Sequence, residues 1–137
     1  MSADENLATQ DGTVSPLARV AAEMVQVYKS HFGRGPTQAR ALWCGDDVLT
    51  VVLEDTLTPA ERNLVQMGEH ERLRETRLFF QYATVREFCE PVERLTGRKV
   101  RAFISGLDTE AAGLSVETFV LHPSGSDAPS RIERAEL

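Results

Sequence analysis

The stretch His31-Phe32-Gly33-Arg34-Gly35-Pro36 returns 64 residues later as Leu95-Thr96-Gly97-Arg98-Lys99-Val100, and the surroundings of both copies decide the fold. Ala21, Met24 and Tyr28 sit at helical spacing before Gly33, and Val85, Phe88 and Val92 occupy the same offsets before Gly97. After each copy come two β-rich runs, residues 39–43 and 48–53 in the first half, 100–104 and 116–121 in the second. Each unit reads helix, strand, strand. The pattern predicts an α+β two-layer sandwich of two pseudo-repeated α-β-β units, with a four-stranded antiparallel sheet and the helices packed on one face. A glycine just past a helix enters the left-handed conformation cheaply, and Pro36 stops the helix from resuming. The same placement disfavours Gly33-Arg34-Gly35 as a phosphate cradle. It follows the carbonyl end of a helix, whereas anions favour the opposite end.

Outward from this junction, Ser15-Pro16 reads as an N-cap followed by proline in the first turn. Gly45-Asp46-Asp47 is a turn sequence between the first two strands. Thr58-Pro59-Ala60-Glu61 has the spacing of a capping box, in which each side chain bonds the other residue's backbone N–H. The helix it opens should break near Gly68. A longer helix is then expected from about Glu69 to Leu95, kinked by Pro91, with Leu78, Phe79, Phe80 and Tyr82 adding apolar area that is either central to the core, the commoner explanation, or a contact with another subunit. The last hairpin should pair residues 99–105 with 115–121 across an acidic loop at 106–113. The expected domain plan is a disordered tail at 1–14, a single α+β domain at 15–122 and a flexible C-terminal tail at 123–137.

A chain of 137 residues, 42% hydrophobic, can bury a core without metal or disulfide staples. Its net charge is -6, and Asp4, Glu5 and Asp11 place half of that before residue 16. The remainder is close to neutral, with no basic face to attract a phosphate backbone, so no nucleic-acid partner is expected. Arg72, Arg74 and Arg77 interleave with Glu69, Glu71 and Glu75, which reads as a solvated face of mixed ion pairs. Cys44 and Cys89 read as reduced, buried residues of a cytoplasmic protein. The acidic start lacks the apolar segment of a secretory signal, and no run approaches the ~20 apolar residues that cross a bilayer, so no direct membrane insertion is expected. His31, His70 and His122 show no ligand spacing, and no nucleophile elbow, Walker loop or dinucleotide fingerprint is present. No metal, no cofactor and no catalytic residues are expected.

Gly33-Arg34-Gly35-Pro36, Leu57-Thr58-Pro59-Ala60-Glu61 and Val92-Glu93-Arg94-Leu95-Thr96-Gly97-Arg98-Lys99-Val100, followed by Phe119-Val120-Leu121, give the chain a resemblance to the MpsC-like family over about residues 16–122. That resemblance implies a small soluble component of a sodium-translocating, membrane-potential-generating system. The implied function is a non-enzymatic accessory subunit working with membrane transport subunits for ions or inorganic carbon. Its implied place is cytoplasmic, at the inner face of the membrane through a protein partner. The alternative reading of the residues is a cytosolic small-anion-sensing or regulatory binding module, with the anion at the sheet or at a dimer cleft. Helix termination needs one glycine, so Arg34, Gly35 and Pro36, with Arg40 on the next strand, form the candidate surface for a partner or for the second subunit of a homodimer. Arg34 is expected to grip a carboxylate there.

Overall fold

A computed structural model describes residues 15–135. The elements run α1 (Pro16–Phe32), β1 (Gln38–Trp43), β2 (Val48–Glu54), α2 (Pro59–Gln66), α3 (His70–Ala83), α4 (Val85–Thr96), β3 (Val100–Asp108), β4 (Leu114–Leu121) and α5 (Arg131–Ala135). The expected tail at 1–14 lies outside the described residues. The four strands form one antiparallel sheet in the order β1-β2-β4-β3, so the two hairpins meet along β2 and β4. The α+β class and the four-stranded antiparallel sheet are as the sequence predicts. α1 and α4 end alike, with Gly33 at φ 80° after α1 and Gly97 at φ 71° after α4.

Alternation explains the layering. Leu49, Val51 and Leu53 of β2 and Ser115, Glu117, Phe119 and Leu121 of β4 are buried, while the residues between them are half-buried. The buried side carries the main core with Val20, Met24 and Tyr28 of α1 and Phe88, Cys89 and Val92 of α4. Aromatic rings meet at its centre, Phe88 stacked on Phe103 and Phe103 tilted against Phe119, 5.4 and 5.3 Å apart between centroids. A second, smaller cluster gathers Leu57, Leu73 and Leu107.

Local chemistry accounts for the ends. Ser15 Oγ accepts from Ala18 N at 3.1 Å, and the Thr58–Glu61 capping box closes in both directions, at 2.8 and 3.2 Å. The single long helix expected over 69–95 is instead two helices. The interruption falls at Thr84 (φ -107°, ψ 32°), whose hydroxyl donates to the Phe80 carbonyl, and helical structure continues through Pro91 to Thr96. Thr84 re-aims the chain: Leu73, Arg77 and Gln81 line the buried stripe of α3, and Val85, Phe88, Cys89 and Val92 that of α4.

Three further expectations are corrected. Phe79, Phe80 and Tyr82 are 70%, 52% and 38% exposed, so they are surface rather than core. Cys44 is exposed at the end of β1, and only Cys89 is buried. Within the stretch read as a flexible tail, α5 forms and Ile132 enters the main core.

Candidate functional site

The predicted corner is assembled around the connector from β2 to α2, residues 55–58. Arg34 lies two residues past α1 and reaches across to the connector: Nη1 donates to the carbonyls of Asp55 and Leu57 at 2.8 and 2.7 Å, and Nη2 to Asp55 Oδ2 at 3.0 Å. Arg34 does grip a carboxylate, but it is one of its own chain. Arg62 bonds the other Asp55 oxygen. The hydrogen bond from Arg34, with Arg62 adding its charge, holds the Asp55 carboxyl below the usual range against a smaller push from burial.

Gly35 and Pro36 set the approach. A Cβ on Gly35 would stand 3.0 Å from the Lys29 side chain and 3.1 Å from Val25, so its absence lets the lead into β1 lie against α1. Arg40 is not part of this cluster. It is exposed on β1 opposite Val52, in the register of residues that point away from the helices.

The connector is gripped from its other side by Arg77, which sequence reasoning placed on a solvated helix face. Arg77 is 1% exposed. Its Nη2 donates to the Thr56 carbonyl at 2.8 Å, its Nη1 pairs with Glu61 Oε1 at 2.5 Å, and its guanidinium lies 3.7 Å from the Phe32 ring centroid. The remaining side of the connector follows the loop before β4: Asp55 N and Thr56 N donate to the Gly113 carbonyl, and Leu57 N to that of Ala112.

Behind Arg77 a belt of polar side chains crosses the sheet between the two apolar clusters. Ser105 of β3 pairs in register with Glu117 of β4, with Phe103 and Phe119 on one side and Leu107 and Ser115 on the other. Glu117 Oε2 accepts from Tyr28 Oη at 2.6 Å and from Gln81 Nε2 at 3.1 Å; Gln81 also bonds Ser105, and Ser115 donates to Thr56 Oγ1 at 3.0 Å. Tyr82 secures the edge of β3, accepting from Ser105 N at 2.8 Å. The signal for this belt was present in two periodicities. Residues 73, 77, 81 and 85 share one face of a helix, and 115, 117, 119 and 121 share one face of a strand. The polar members of those apolar series are the buried ones.

The arrangement is a clamp and a core network, its arginines bonded to backbone carbonyls and carboxylates of the chain itself. Among the described residues no group of three or more His, Cys, Asp or Glu is placed to hold a metal ion. No helix there is long and apolar enough to cross a membrane.

Against known families, the description "Na+-translocating membrane potential-generating system (MpsC)" matches residues 17–123. The chain belongs to the MpsC family. No curated protein and no solved structure matches it. The MpsC match takes in the corner, the connector and the belt, and stops before α5.

Proposed function

We propose that this MpsC-family chain is a non-enzymatic accessory subunit that works with integral-membrane subunits of an ion-transport system at the cytoplasmic face. The observation that carries the reading is the family match over 17–123. It is supported by how the charged groups of the clamp are used, since Arg34, Arg77 and Glu61 are bonded to one another or to the connector rather than arrayed around a reacting centre.

The docking surface in this reading is the exposed face of β1 at Arg40 together with the corner that leads into it. Arg34, Gly35 and Pro36 fix its shape, and Arg40 supplies an exposed cation for a partner's carboxylate. The test is affinity capture of the tagged full chain from native membranes, with Arg40→Glu in parallel. Integral-membrane ion-transport subunits should co-purify with the parent chain and be lost, several-fold, with the Arg40→Glu chain at equal folding. No such subunit above a tag-only control would overturn the role. Equal recovery by both chains would overturn the docking surface.

A further inference from the structure

We propose that Glu117 is a proton-binding site, held inside the core by Tyr28 and Gln81, whose protonation state sets how firmly α3 is seated on the sheet. The inference is independent of any transport partner. It begins with the donors and acceptors of the belt. Glu117 is 0% exposed, and Oε2 takes both of its hydrogen bonds. Among the described residues, Glu117 Oε1 and Gln81 Oε1 are buried with no donor, and Arg77 Nε is buried with no acceptor. Buried polar atoms are nearly always satisfied, and a carboxylate without a partner on one oxygen is the most costly exception. A proton taken from solvent onto Glu117 Oε1 forms one O–H bond, removes the negative charge and turns an unsatisfied acceptor into a donor.

The groups that face Glu117 from each packed element leave the proton as its main compensation. From α1 comes the Tyr28 hydroxyl, itself kept protonated by burial first and by Glu117 second. From α3 come Gln81, which is neutral, and Arg77, whose Nη1 and Nη2 are engaged by Glu61 and the Thr56 carbonyl. From β3 comes Ser105, and from α4 Cys89, whose thiol burial pushes up to about 12 and so keeps neutral. β2 places Val51 directly opposite. Burial raises the Glu117 carboxyl to about 7, with Ser105, Tyr28 and Arg77 pulling the other way.

The link to α3 is geometric. At this level of the sheet α3 meets the core through Gln81 and Arg77 and the edge of β3 through Tyr82, whose ring lies 5.5 Å from that of Phe103, with the apolar contacts of Leu73 and Leu78 in the smaller cluster and of Val85 in the main core. When Glu117 ionises, the anion and its unsatisfied oxygen are relieved by admitting water, and the side that can yield is α3.

The sign follows from the raised carboxyl. The folded chain holds the proton more tightly than the unfolded one, so this group's contribution is complete below the ordinary value of 4.5 and is lost as pH rises to about 7. Thermal unfolding of the parent chain and of Glu117→Gln should be compared at about pH 5 and about pH 8. The parent midpoint should fall by several degrees more than the variant's, the three histidines being common to both. Equal falls would overturn the site. Should Glu117→Gln not fold, carbon-detected NMR of the parent's glutamate carboxyls decides: one should titrate near 7, and completion of all of them by about pH 5.5 would overturn it. Amide exchange tests the coupling. Protection of residues 73–83 should fall relative to α4 on going to about pH 8, and a uniform change would overturn the control of α3.

Discussion

Two glycines in the left-handed region separate conformational strain from steric conflict. Gly33 (φ 80°) has nothing within 4 Å of where a Cβ would stand, so Gly33→Ala meets only the cost of the backbone, about 1 kcal/mol. Gly113 (φ 86°) has a similar backbone, yet its Cβ would lie 2.5 Å from Leu57 Cγ, in a side chain with no exposed surface. Gly113→Ala therefore adds overpacking to strain and should cost about 2–4 kcal/mol. Urea midpoints for the two variants, at unchanged m-value, check the order; Gly33→Ala as the more damaging change would contradict it. The first glycine was legible because a helix pattern ends on it. The second was not, because the close approach of residues 57 and 113 belongs to the folded chain and leaves no local pattern.

At the scale of elements, the connector between β2 and α2 is determined from both sides, by Arg34 on carbonyls 55 and 57 and by Arg77 on carbonyl 56. The two arginines should differ in worth. Arg34 is about one-third exposed, so Arg34→Ala should cost roughly 1–2 kcal/mol after screening by water. Arg77→Ala removes the countercharge of Glu61 and the donor to a buried carbonyl, and should cost about 3–5 kcal/mol. Denaturant unfolding of both variants measures the contrast. Acid provides a second readout for Arg34. Because it lowers the Asp55 carboxyl, that pairing stabilises above the ordinary value of 3.8 and is lost as pH falls below it, so the acid limb of stability should be shallower in Arg34→Ala. The sequence displayed both hairpins, the capping box and the Gly33 and Gly97 caps, all of which depend on neighbours within a few residues. It hid the arginines' targets in the connector, 21 to 23 residues away along the chain, and it displayed Arg77 among surface-like charges although its helical phase matches Leu73 and Val85.

For the whole molecule, the decisive question is where the folding unit ends. The family match stops at residue 123, whereas Ile132 sits 8% exposed in the main core, with α5 packed on α4 and β3. Seven residues of turn-forming sequence lead to it, Ser124-Gly125-Ser126-Asp127-Ala128-Pro129-Ser130, and they resemble a linker by composition alone. Ser130 is buried and its Oγ accepts from Glu133 N at 3.2 Å, which anchors the first turn, and Glu133 meets Lys99 at 3.6 Å. A helix of five residues cannot form alone, so its order derives from the core it covers. Ile132→Ala should then behave as a core truncation and cost about 2–4 kcal/mol, and a chain ending at residue 123 should lose at least as much. An exposed pair such as Lys99–Glu133 contributes little by comparison, and Glu133→Ala should stay within about 0.5 kcal/mol. Urea unfolding of the three chains distinguishes a structural C-terminus from a tail. If Ile132→Ala and the shortened chain unfold at the parent's midpoint, the folding unit ends where the family match does; if both fall together while Glu133→Ala does not, the core extends through Ile132.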